Sequence, residues 1–372
     1  MDATGNKAEL KTCRGTISCS DKNDIPPDYG YGHVVSIRIS SWVTFFSLAQ
    51  GMRYGEWFFR GHENSSWTLR SGLDRIRDAW DKRFTDSFPL NTGEGVQFLD
   101  DYDFRANENR RPFERNLEFI GINEFRSLTK GRFDSSFTRL DYLGAMQHYG
   151  TRTRLLDFTF SPFVSTFFAF ENEEVFSERA VYAINVNRLQ QSSPMMKEVG
   201  KYIEREIGDG LTEFAEKRLA KIFGYRHPNS WEVYRAVAEM DIIQSEEDAL
   251  ERDDIIPIIL EGGNNRLIAQ DGLFLFPLTF DYFDNVLARM LDIKSEDIRN
   301  PILVKEKELE DLGNINQDVT MVKLIFDKCM NDSSHQTLRQ MNLSDRVIYP
   351  DLVGIARSIN GIREDVLRMK GK

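Results

Sequence analysis

No stretch of this sequence approaches the roughly 18 uninterrupted apolar residues of a membrane span, so no membrane association is expected. Cysteine is scarce. Cys13, Cys19 and Cys329 are odd in number and keep neither a disulfide-framework nor a metal-type spacing, which suits a reducing compartment. The five histidines are scattered, without metal-ligand spacing. The opening residues, MDATGNKAELKTCRG, carry no apolar core of a secretory signal, and a cytoplasmic location is expected. There is no GxxxxGKS/T phosphate loop, no GxGxxG after a strand, no GxSxG elbow and no HExxH. Kinase and hydrolase readings are weak for that reason.

The net charge of −11 argues against tight, non-specific nucleic-acid binding. A local basic groove is compatible with it, because acid is concentrated in ENEE (171–174), at 246–254 and at 295–311. The middle of the chain holds Arg126, Lys130, Arg132, Arg139, Arg152 and Arg154. Aromatic residues are plentiful: 27 phenylalanines predict a core rich in rings.

Residues 1–29 read as a polar arm ending near Pro26-Pro27. HVVSIRI (33–39) predicts a strand, then a helix over WVTFFSLAQ capped by Ser40 or Ser41. EWFFRG (56–61) predicts an aromatic strand closed by glycine. Helices are expected over 113–129 and 138–149, a short strand or turn at 155–159, and a helix begun by Ser161-Pro162. AVYAINV (180–186), IIPIIL (255–260) and LFLFPL (273–278) read as strands, whereas 196–250 and about 279–372 read as mainly helical. Strands separated by helices without a βαβ rhythm give an α+β fold.

The stretch QHYGTRTRLLDFTFSPFVSTFFAF (147–170) is the most informative. Arg152, Arg154, Asp157, Thr159 and Ser161 interrupt its apolar run at close spacing. Burying such groups costs several kcal/mol unless they are paired, so the segment is expected to line a cleft or build a polar network. Arg60 is read as a ligand contact or as the partner of an acid such as Asp157, and Arg154 as a ligand contact or as paired locally with Asp157. Thr159 and Ser161 line a pocket or cap a helix. His148 is a candidate acid–base group.

WFFRGHENSSWTLRSGLDR (57–75), the 147–170 stretch and NNRLIAQDGLF (264–274) resemble, in order, the three signature blocks of the FRG domain family. Its Phe-Arg-Gly motif stands here as Phe59-Arg60-Gly61, and the resemblance spans about 30–280, leaving 281–372 as a helical C-terminal region. His62 replaces the usual Gln, and Gly150-Thr151-Arg152-Thr153 replaces Gly-Leu-Pro-Thr.

The blocks are also remotely similar to mono-ADP-ribosyltransferases. That likeness implies a mixed or antiparallel sheet core with surrounding helices, and NAD as cosubstrate. It implies Arg60 and Gly61 at the diphosphate, with Arg154 assisting. Thr159 and Ser161 then shape the nicotinamide pocket, and Gln270 or Asp271, or Glu261 upstream, stands where those enzymes use Glu.

Breaking the nicotinamide bond needs a carboxylate near the developing cation and an arginine for the diphosphate. The leading expectation is therefore an NAD-dependent ADP-ribosyltransferase-like toxin or effector. It would modify nucleic acid or protein in bacterial anti-phage defence or a toxin–antitoxin system, with an antitoxin as neutralising partner. The alternative is a non-catalytic module that binds a nucleotide or a partner.

Overall fold

The computed structural model describes residues 33–87, 107–172, 177–197, 228–243, 253–260, 265–304 and 319–360. The expected polar arm, Glu261 and most of 196–250 lie outside the described residues.

Eight strands among the described residues form one sheet: β1 (His33–Ile39), β2 (Trp57–His62), β3 (Leu156–Thr159), β4 (Arg179–Asn185), β5 (Ile255–Ile258), β6 (Gly272–Pro277), β7 (Ile302–Val304) and β8 (Val319–Phe326). Their spatial order is β5-β6-β3-β2-β4-β8-β1-β7. Pairing is antiparallel from β5 to β8, and β1 runs parallel to both β8 and β7. The sheet is mixed and the fold α+β.

Two core layers cover its faces. On one, Phe58, Tyr182, Ile184 and Met321 meet helices 139–148, 228–243 and 283–291 through Leu140, Leu143, Val237, Val286 and Leu287. On the other, Trp57, Phe59, Val181, Ala183 and Val322 meet Phe45 and Leu48 of helix 42–51 and Ala169 of helix 162–169. Side chains alternate across a strand, so WFF sends Trp57 and Phe59 to one layer and Phe58 to the other. All three are fully buried. Each contributes about 1.5–3 kcal/mol relative to exposure.

Local signals place the helices as expected. Ser41 Oγ accepts from the Thr44 amide at 3.1 Å, and Ser161 Oγ from the Val164 amide at 3.3 Å. Helix Asn107–Leu128 continues through Gly121.

The expectation of a helical stretch beyond 279 needs a correction. Helices occupy 283–299 and 331–360 in part, but Val319–Phe326 forms β8, an interior strand of the sheet hydrogen-bonded between β4 and β1. Its run VTMVKLIF is rich in β-branched and apolar residues, and a strand covered on both faces has no polar alternation to betray it. Residues on both sides of position 280 thus share one core. No described helix is long and apolar enough to cross a membrane.

Candidate functional site

The Phe-Arg-Gly triplet alternates across the sheet, Phe59 and Gly61 on one face and Arg60 on the other. Phe59 enters the core beside Val181 and Ala183, while Arg60 turns to the opposite face with Phe58 and His62. Gly61 faces helix 162–169 at very short range: an added Cβ would lie 1.9 Å from the Ser165 carbonyl oxygen and 2.7 Å from the Ala169 amide. The close packing of that helix on β2 therefore admits only hydrogen at position 61.

β2 and β3 are joined at a single register pair, Phe59 with Thr159. Arg60 Nη1 instead donates to the Asp157 carbonyl at 2.7 Å, and Arg60 Nε donates to His62 Nε2 at 3.1 Å. A cleft of about 420 Å³ is lined by both strands, from Phe59 to Glu63 and from Asp157 to Thr159. Arg60 is 14% exposed there, and its carboxylate neighbour Asp157, 3.5 Å away, is 55% exposed. Burial pushes the Arg60 pKa down, and Asp157 opposes that shift. His62 is held well below its ordinary pKa by burial and by the Arg60 cation, so its ring is neutral at pH 7.

Residues 55–178 match the family model of the FRG domain. The chain carries an FRG domain. No curated protein and no solved structure matches the chain.

The match covers the first two signature blocks and ends before the third, yet the fold brings all three to the cleft. In the second block, Gln147 Nε2 donates to Asp157 Oδ2 at 2.9 Å, and Thr153 Oγ1 donates to Gln147 Oε1 at 2.8 Å. This relay fixes the acid that faces Arg60. Thr159 Oγ1 donates to the Gln270 carbonyl at 2.7 Å and accepts from the Ser161 amide at 3.0 Å, tying the second block to the third.

The predicted site residues divide. Arg60, Gly61, His148, Thr159 and Gln270 line the cleft. His148 is half-buried, with its pKa lowered by burial and by Arg266. Ser161 is a helix cap behind the cleft wall. Gln270 spends its amide on the Ile348 carbonyl at 3.2 Å. Asp271 sits in a left-handed turn with φ of 46° and lies outside the cleft lining.

Arg154 lies away from the cleft altogether. Buried, it pairs with Asp241 at 2.6 Å and Glu118 at 2.9 Å, and stacks over Phe276 and Phe280. Its expected local partner Asp157 is on the other face of β3 from Leu156 and Phe158, turned to the cleft.

Several cleft residues went unnoticed in the sequence. Glu63 and Glu171 both line it, and burial, followed by repulsion from Glu171, raises the Glu63 pKa. The Glu63 carboxyl has no hydrogen-bond donor among the described residues, whereas Glu171 accepts from the Tyr349 hydroxyl at 2.7 Å and from Arg357 at 2.5 Å. Arg75 adds a cation with no acid at ion-pair distance among the described residues. Trp67, Phe168 and Tyr349 supply ring surface. Glu63 stands three residues after Arg60, inside the first signature block, and that position was the available signal. Nothing in the sequence placed Tyr349 beside it.

Proposed function

We propose that the cleft of this FRG domain binds NAD and supports cleavage of its nicotinamide–ribose bond, with transfer of ADP-ribose to an acceptor. The observation that carries this reading is the pairing, in one cleft, of Arg60 and Arg75 with the carboxylates Glu63 and Glu171. Two guanidiniums suit a diphosphate, because each offers several donors in a fixed plane. Trp67, Phe168 and Tyr349 suit flat heterocycles. NAD supplies a glycosidic bond whose electrons leave with nicotinamide, and the acceptor atom that takes the ribose carbon gives up a proton.

Glu63 would stabilise positive charge at the ribose, and its raised pKa suits the capture of that proton. This role passes to Glu63 from Gln270 and Asp271, since Gln270 is bound to backbone and Asp271 is outside the lining.

The test is incubation of the purified chain with labelled NAD and cell extract, followed by protease or nuclease digestion. Nuclease-sensitive label identifies a nucleic-acid acceptor and protease-sensitive label a protein. Free ADP-ribose with no labelled polymer marks hydrolysis. If the folded chain releases no nicotinamide, the transferase reading falls. Thermal stabilisation by NAD without turnover would then establish a binding module.

A further inference from the structure

The cleft at Arg60 has a neighbour. A second cleft, of about 1020 Å³, shares His148, Arg266 and Leu267 with it as a common wall. Its other sides come from helix 139–148, helix 228–243 and the turns of 132–137. Three rings face it. Phe133 and Phe137 stack at 4.9 Å, and Tyr149, 69% exposed, stands edge-on to His148 at 4.9 Å.

The charges in this second cleft do not balance. Arg266 and Asp351 pair at 2.6 Å, and Arg132 and Asp134, both exposed, offset one another. Asp141 and Glu239 are left with Arg235 as their one cation in the lining. Arg235 donates to Asp141 Oδ2 at 2.5 Å, and Glu239 Oε1 accepts from the Leu140 amide at 2.8 Å. The start of helix 139–148 supplies about half a positive charge, which leaves the acids in excess. Asp141 is only 4% exposed, and its Oδ1 accepts no hydrogen bond among the described residues. A buried carboxylate oxygen without a donor is unfavourable, so this atom calls for a donor brought by a ligand.

We propose that the second cleft binds an arginine side chain displayed by a partner protein. A guanidinium carries five donors and no acceptor, and it lies flat on aromatic rings. It therefore satisfies the spare carboxylate charge and the rings together. Phosphate does not suit the same place. The acids repel it, and of the basic residues between 126 and 154 Arg132 is the one in the lining. The net charge of −11 also draws a basic partner to the chain. A protein held here stands beside the first cleft, across the wall at His148. The inference is independent of what the first cleft binds.

Titration calorimetry of the full chain with a short arginine-containing peptide tests it. A matched lysine peptide, spermidine and a single-stranded oligonucleotide are titrated beside it, and thermal melts confirm the fold of each variant. The expected result is saturable binding of the arginine peptide, weaker binding of the lysine peptide, and no competition from the oligonucleotide. Glu239→Gln keeps an acceptor for the Leu140 amide and removes only the charge, and it should weaken arginine-peptide binding about 10-fold or more. Tyr149→Ala, at an exposed position, should weaken it about 3-fold or more. Arg60→Ala should leave it unchanged, which keeps this site distinct from the NAD reading. No binding of the arginine peptide overturns the proposal, as does wild-type affinity in either folded variant. Loss of binding in Arg60→Ala moves the peptide to the first cleft and overturns it too. Equal binding of spermidine overturns the arginine assignment, and displacement of the peptide by the oligonucleotide overturns the charge argument.

Discussion

Gly61 and the Ser165 carbonyl are so close that one added carbon would lie 1.9 Å from the oxygen. Both sides of this contact are backbone, one in β2 and one in helix 162–169, so neither can swing away as a side chain would. The glycine of the Phe-Arg-Gly triplet is thereby explained by packing, and the arginine before it by the cleft. We predict that Gly61→Ala destabilises the chain by about 1–3 kcal/mol or more, since overpacking must shift the helix. Denaturant unfolding measures it, and wild-type stability in this variant would refute the packing argument.

Arg60→Ala is expected to remove the cleft's function while leaving the fold in place. Its ion-pair acid Asp157 is mostly exposed, so the pair adds little stability. The predicted stability change is within about 1–2 kcal/mol, while NAD affinity falls roughly 10- to 100-fold. Arg60→Lys should recover little, because one ammonium cannot meet Asp157, His62 and a diphosphate at once. Titration calorimetry beside a thermal melt separates the two effects.

Arg154 behaves oppositely in this scheme. Truncation to Ala leaves Glu118 and Asp241 buried without their shared cation, and the predicted cost is about 3–5 kcal/mol. Loss of activity in that variant should track loss of folded protein. A stable Arg154→Ala variant without NAD binding would return this residue to the cleft.

Lys323 gives a pH-dependent prediction. It is buried on β8 with its ammonium 5.1 Å from the Tyr182 ring centre, and burial lowers its pKa from 10.5 to about 8. Between pH 8 and 10.5 the unfolded chain holds this proton and the folded chain does not, so stability rises with pH across that window. Below pH 8 both states hold it and the cost is fully present. Lys323→Met should therefore stabilise the protein at pH 7, by on the order of 1–3 kcal/mol. The gain should shrink toward zero as pH passes 10. Chemical denaturation at pH 7, 9 and 10.5 reads it, and a gain constant with pH would sink the explanation.

Local order was legible in the chain itself. The alternation of WFFRGH, the Ser41 and Ser161 caps and the β-branched run of 180–186 each specify an element through nearest-neighbour sterics and hydrogen bonding. The α+β class and the concentration of polar groups in 147–170 followed from the same short-range signals, whereas 57–75 was singled out by its resemblance to the FRG domain. What β8 does was not legible, because a strand buried on both faces differs from a core helix only in the company it keeps.

The site was decided at longer range. Arg154 and Asp157 are three residues apart, yet one closes a buried ion network and the other faces solvent across from Arg60, because β3 sends them into different surroundings. Glu63, Glu171 and Tyr349 lie far apart in the chain and become neighbours only when β2, helix 162–169 and the C-terminal segment pack together. Sequence determines which groups a strand or helix presents. Only the tertiary structure determines which of them share a cleft, since their meeting depends on sheet order and helix packing summed over the whole core.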